Sequence, residues 1–380
     1  MNKEKRQKII VACDSFKGSL SSRQAGEAVA AGVREAEPDA DVRVVAVADG
    51  GEGFVEAVRE AIGGKEVECC VQGPLGEEVT ARYALVDDGE CAVMELAEAS
   101  GLGLVPEDER NPLYTTTYGT GEMIADALGR GCRRIVMGIG GSATVDGGMG
   151  LLSALGVRFL DAEGRKLWPC GGALNDIAEI DMSGLDKRIF EIEITVACDV
   201  DNVLCGPQGA AFVFGPQKGA TPEMCEVLDR GLERFAELAK RCTGRNLRTI
   251  PGGGAAGGVG AAMAVFLGAR LVPGSKALLE SIGFDGIIAG ADIIITGEGH
   301  IDRQTLDGKL PYGVLQRGRA KGIPVIAVAG RVSDAEMLLE NGFTAVLPAV
   351  DEDADLVEAM KPENALVNIR RAVAKYFANN

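Results

Sequence analysis

The chain has 380 residues, with 39 Lys and Arg against 56 Asp and Glu for a net charge of -17, and it holds 53 glycines, 10 cysteines and one histidine. The length points to two or three domains, and 46% hydrophobic residues supply enough core to exclude a disordered chain. The acidic balance, without a basic run, argues against nucleic acid or an anionic membrane as partner, because phosphate contacts need Lys and Arg on one face.

The first apolar run, KIIVACDS (8–15), reads as a buried strand that stops at Asp14, too short for a signal peptide. A helix over 21–35 follows, opened by a Ser21-x-x-Gln24 capping box. Next come a strand at 42–51 and a helix at 53–62. Residues 79–86 and 91–96 flank Asp87-Asp88-Gly89-Glu90, a hairpin signal. Further strands are expected at 134–139, 191–198 and 210–214, and helices from about Met149 and over 259–267. The C-terminal stretch returns to the first pattern: strands at 291–299, 323–330 and 344–350, helices at 311–321, 334–341 and 362–377. No stretch approaches 18 apolar residues, so the protein is expected in the cytoplasm.

The runs at 8–15, 42–51, 291–299 and 323–330 end in Gly or Ser, the run at 344–350 stops before Asp351, and all five alternate with helices. They predict an α/β domain, a doubly wound three-layer parallel sheet with its site at the carboxyl ends of the strands. The middle of the chain mixes a hairpin with helices and reads as an α+β insertion. The expected division is a discontinuous domain of 1–68 and 286–380 around an inserted domain of 69–285.

One histidine excludes a His-rich metal site, the cysteines form no C-x-x-C pair, and no G-x-S-x-G elbow occurs, so chemistry rests on carboxylates, lysines and glycine loops. The first strand ends in Asp14-Ser15-Phe16-Lys17-Gly18-Ser19, a group suited to a small anion or else a solvated turn. The second ends in Asp49-Gly50-Gly51-Glu52-Gly53, open to a metal, a substrate hydroxyl or a plain turn. The strand at 134–139 runs into Gly140-Gly141-Ser142-Ala143-Thr144-Val145-Asp146-Gly147-Gly148 and a helix. Such a loop can cradle phosphate with its N–H groups and the helix dipole, or be a tight turn.

Asp199 and Asp201 stand two apart after a strand and would share a face if the strand continued. Lys218, between glycines, could meet phosphate or be solvated. The run Pro251-Gly252-Gly253-Gly254-Ala255-Ala256-Gly257-Gly258 fits G-x-G-x-x-G, but no convincing strand precedes it, so a glycine-rich nucleotide or substrate loop or close helix packing replaces a dinucleotide site. The strand at 291–299 leads to Glu298, His300 and Asp302, a further carboxylate edge.

In order, DSFKGS, ADGGEG, ELAEASGL, GTGEMI, GGSATVDGG, CDVDN, GPQKGA, GGGAAGG, TGEGHID and QTLDGKLP resemble the type I glycerate kinases over nearly the whole chain. The resemblance implies phosphorylation of D-glycerate by ATP with Mg²⁺, giving 2-phospho-D-glycerate and ADP. It also implies a Rossmann-like or flavodoxin-like domain interrupted by an inserted one, with the active site in the cleft between them. On that basis Asp199 is the expected base and Lys17 its catalytic partner. Asp14, Ser15, Lys17, Asp49, Glu298 and Asp302 are expected at glycerate. Gly140, Gly141, Ser142, Ala143, Gly254, Gly257 and Lys218 are expected at the nucleotide, and Asp199, Asp201 and Asp49 at the metal.

Four positions depart from the family pattern: Cys13 and Val203 where proline is usual, Val145 where asparagine is common, and His300 where arginine is usual. Only the last exchanges a permanent charge for a mostly neutral ring. Kinases of another small hydroxy acid, and a catalytically silent nucleotide- or glycerate-binding regulator, are the competing readings, and both a monomer and a homodimer stay open.

Overall fold

The computed structural model describes residues 6–47, 53–351 and 354–379; the expectations at Asp49, Gly50, Gly51 and Glu52 lie outside them. In chain order the strands are β1 (Lys8–Cys13), β2 (Asp41–Val44), β3 (Lys65–Gln72), β4 (Glu78–Val86), β5 (Cys91–Glu95), β6 (Arg134–Gly138), β7 (Arg158–Leu160), β8 (Glu179–Asp181), β9 (Glu193–Ala197), β10 (Arg270–Val272), β11 (Ile293–Ile301), β12 (Val325–Val332) and β13 (Ala345–Pro348). The chain divides into two compact units, one of Met1–Asp49, Glu56–Ile62 and Pro273–Asn380, the other of Gly50–Val55 and Gly63–Val272. Among the described residues no helix is long and apolar enough to cross a membrane.

The first unit holds a parallel sheet in the order β13-β12-β11-β1-β2. Counted within the unit this is 2-1-3-4-5 from the other edge, the flavodoxin-like order, and the direction of winding reverses between β1 and β11. Ile9, Val11 and Cys13 pack with the helices Ser22–Ala36 and Pro362–Ala378, while Ile10 and Ala12 point to the opposite face and are equally buried. Burial on both faces is why these strands read as unbroken apolar runs. The capping box at Ser21 forms, with the Ser21 side chain accepting from the Gln24 amide.

Two of the differences in strand extent bear on the site or the sheet edge. β2 is only four residues and half-exposed, as suits an edge strand with one neighbour. β11 runs on to Ile301 because β12 keeps pairing with it, His300 opposite Arg331 and Ile301 opposite Val332; His300 therefore sits on the strand rather than beyond its end.

The second unit is built on a mixed six-stranded sheet, β10-β9-β6-β5-β4-β3. The first four strands are parallel, and β4 and β3 close it antiparallel. The expected hairpin forms between β4 and β5, with Asp87 and Asp88 at positive φ in its turn. The expected strand at 210–214 is a short helix, Ala210–Phe214, following Gly209. Burial of Ala210 and Ala211 against the core overrides the β-favouring Phe-Val-Phe that follows them.

Candidate active site

At the carboxyl edge of the first sheet, the residues after β1 meet the end of β11. The Asp14 amide donates to the Gly297 carbonyl at 2.8 Å, and Gly299 lies so near Phe16 and Lys17 that a Cβ on it would stand 3.6 Å from the Lys17 amide nitrogen. This is the point where winding reverses, the usual ligand crevice of an open parallel sheet. Asp14 is buried and accepts from the Ser15 amide at 2.6 Å; Ser15 is half-buried and Lys17 exposed. The buried Ser19 hydroxyl oxygen, in the same turn, has no partner among the described residues.

From β11, Glu298 accepts a hydrogen bond from the Thr305 hydroxyl at 2.7 Å and faces the Lys309 ammonium at 3.5 Å. Burial pushes its carboxyl above the ordinary range, against the pull of those two neighbours. The structure thus brings Asp14, Ser15, Lys17 and Glu298 to one edge. Asp302 has a different task there: its Oδ1 accepts from the Gln304 amide at 2.9 Å and its own amide donates to Thr305, capping the turn that carries Thr305 to Glu298. His300 is half-exposed, shares a 2.9 Å hydrogen bond with the Ser333 hydroxyl, and stands beside Arg331 on the neighbouring strand. A permanent cation is therefore present one strand over from the position where the histidine replaced one.

In the second unit, Glu95, Gly138 and Ala197 lie in register across β5, β6 and β9, so the loop after β6 and the acids after β9 leave the same edge of the sheet. Gly140 and Gly141 are exposed, while Ser142 and Ala143 are buried. Asp199 and Asp201 are both exposed, but β9 ends at Ala197 and irregular backbone follows. The shared strand face expected for the two acids is not present.

The expected phosphate cradle at the start of the helix Met149–Ala154 is filled from within. Asp146, fully buried, accepts from the amides of Thr117 (2.8 Å), Gly148 (3.0 Å) and Gly150 (3.1 Å) and from the Thr117 hydroxyl (2.7 Å). Burial pushes its carboxyl upward, and these four donors oppose the shift. The helix dipole and its first amides serve an internal acid, which leaves the exposed Gly140 and Gly141 as the loop's outward face. No role for Asp146 is legible in the sequence; its only local signal is an acid three residues before the helix, inside a glycine run, where it can reach the first free amides.

Lys218 is not solvated. It is 2% exposed, and its ammonium nitrogen bonds the Ser142 hydroxyl at 2.6 Å and donates to the Thr144 carbonyl at 2.7 Å. Burial lowers its pKa to about 7. The lysine holds the loop from beneath. Gly254 and Gly257 are likewise buried against the protein's own backbone: the Gly254 amide donates to the Asn202 carbonyl at 2.8 Å, and a Cβ on Gly257 would overlap the Thr144 carbonyl oxygen. These glycines allow close packing of three loops, those at 140–147, 198–203 and 252–258.

The glycerate kinase family model matches residues 9–378. The chain belongs to the glycerate kinase family. It is 48% identical over 355 residues to the glycerate kinase of Bacillus subtilis (strain 168), covering 93% of each chain. It is 45% identical over 366 residues to the glycerate 2-kinase of Escherichia coli (strain K12), covering 96% of each. A Salmonella typhimurium LT2 protein described as a glycerate kinase 2 has a crystal structure that superposes with a TM-score of 0.87 at 45% identity, over 99% of this chain and 98% of that one. Glycerate kinase activity, a phosphoryl transfer to an alcohol, is the function that membership carries.

Proposed function

We propose that the enzyme transfers the γ-phosphoryl group of ATP, with Mg²⁺, to the 2-hydroxyl of D-glycerate, giving 2-phospho-D-glycerate and ADP in the cytoplasm. The observation that carries this reading is the gathering of Asp14, Ser15, Lys17 and Glu298 at the reversal point of a parallel sheet. A three-carbon hydroxy acid needs a cation for its carboxylate and acceptors for its hydroxyls, and this edge has both. Lys17 and Ser15 hold the carboxylate; Asp14 and Glu298 accept from the hydroxyls, with Asp302 fixing Thr305 behind Glu298.

Phosphoryl transfer requires alignment and charge neutralisation. Gly140 and Gly141 face the phosphates, Ser142 and Ala143 form the buried base of their loop, and Lys218 braces it. Asp199 takes the proton of the glycerate hydroxyl as its oxygen bonds to the γ-phosphorus and the bond to ADP breaks. Mg²⁺ is usually held by one or two carboxylates plus substrate phosphates, and Asp199 and Asp201 are two exposed carboxylates of that kind. When bound, the ion neutralises charge on the phosphates.

The test is ³¹P NMR of the product from D-glycerate and Mg-ATP. A phosphomonoester on carbon 2 supports the reading, one on carbon 3 overturns its regiochemistry, and no product with D-glycerate overturns the assignment.

A further inference from the structure

The chain has a single tryptophan, Trp168, and 54% of its surface is exposed. Its ring lies nearly parallel to that of Tyr118, 14° apart with centroids at 6.5 Å. It also abuts the tip of the β3–β4 hairpin, where a Cβ on Gly76 would stand 3.6 Å from it and where Leu75 is exposed as well. The exposed Trp168, the half-buried Tyr118 ring near-parallel to it and the exposed Leu75 form a small apolar face.

Register places this face. Gln72 pairs with Glu78, and Tyr83 with Met94, so β3 runs in the same direction as β5 and its hairpin overruns the end of β5 on the carboxyl side. That is the edge from which the 140–143 loop departs. A single short segment ties the two together: the Thr116 amide donates to the Pro74 carbonyl at 2.9 Å, and the Thr115 hydroxyl donates to the Ala143 carbonyl at 3.0 Å. The hairpin tip and the glycine loop are thus bound to adjacent residues.

We propose that Trp168, Tyr118 and Leu75 form the platform on which the adenine base of the nucleotide stacks, its phosphates extending toward Gly140 and Gly141. This rests on the ATP reading above and adds to it the part of the site that recognises the base. A ring face suits that occupant: an aromatic platform attracts the π-face of a neutral base, whereas the net acidic chain offers free phosphate no advantage there.

Because Trp168 is the only tryptophan, its fluorescence reports on the platform directly. Adenosine and ADP should quench it, and inorganic tripolyphosphate should not. In kinetics, Trp168→Ala should raise the KM for ATP by about five- to 100-fold, the range of one lost base stack, with the KM for D-glycerate unmoved, and Trp168→Tyr should restore most of the loss. An unchanged KM for ATP in Trp168→Ala, in an otherwise active enzyme, overturns the platform while leaving the kinase reading intact. If the wild-type enzyme makes no phosphoglycerate from ATP, the kinase reading fails by itself, and quenching by adenosine then decides for the platform or against it.

Discussion

Replacing Lys218 with Met removes the brace under the glycine loop while keeping the length of the side chain. The ammonium group bonds the Ser142 hydroxyl and the Thr144 carbonyl, at 2.6 and 2.7 Å, in a site 2% exposed. Methionine leaves those two oxygens buried without their donor, at about 1–3 kcal/mol each, offset by the desolvation of the charge that methionine does not need. The pH dependence separates the two effects. Burial lowers the lysine pKa from 10.5 to about 7, so between those values the unfolded chain binds a proton that the folded chain does not. Stability contributed by this group therefore rises with pH through that window and is flat below it and above it. Urea denaturation of wild type and Lys218→Met from pH 6 to 10.5 should show wild type gaining on the variant as pH rises above 7, at up to roughly 1 kcal/mol per pH unit. A stability difference independent of pH across this window would refute the neutral buried lysine. The displaced loop should also raise the KM for ATP.

Asp199→Asn should lower kcat by about 10²- to 10⁴-fold, the usual range for a lost general base, with an unchanged thermal midpoint because the residue is exposed on irregular backbone; near-normal kcat would exclude it as base. Gly257→Ala should destabilise the fold by about 2–6 kcal/mol, since the residue has φ +65° and the added methyl meets the Thr144 carbonyl, and urea midpoints check it. Arg331→Ala should raise the KM for D-glycerate about fivefold if the guanidinium beside His300 serves the anion, and an unchanged KM would assign it to solvent.

What could be read in the chain depends on whether a residue's environment is local. β1, β11 and β12 were legible because strands buried on both faces must be apolar throughout, and Ser21 with Gln24 announced a helix start that needs only its own neighbours. The segment at 210–214 was not legible, since its Phe-Val-Phe favours a strand locally and only the surrounding core selects the helix. The internal bonds of Lys218 and Asp146 were not legible for the same reason. A lysine between glycines and an acid beside glycines look like groups waiting for a ligand, and nothing in the string of letters says that other loops close over them.

The glycines show where that ambiguity can be resolved. Gly254 and Gly257 would each drive a side chain into backbone carbonyls, and both are buried, so the absence of a Cβ there serves packing. Gly140 and Gly141 are exposed, and a Cβ on Gly141 would meet only the Ala97 methyl at 3.5 Å. Gly141 has φ +70°, which accounts for a glycine locally, but its exposure beside a braced loop remains, and exposure is what a phosphate requires. A glycine-rich pattern alone cannot separate the two uses. The criterion that does is whether the space vacated by the side chain is filled by the protein itself, and by that criterion the surface this loop could offer the proposed nucleotide narrows to Gly140 and Gly141. Gly141→Ala should therefore raise the KM for ATP with a stability loss of no more than about 1–2 kcal/mol, as a non-glycine residue in the left-handed region allows, whereas Gly254→Ala should unfold the protein before any kinetic effect is seen. Equal losses of stability in the two variants, by urea denaturation, would show that the loop glycine too is there for the fold.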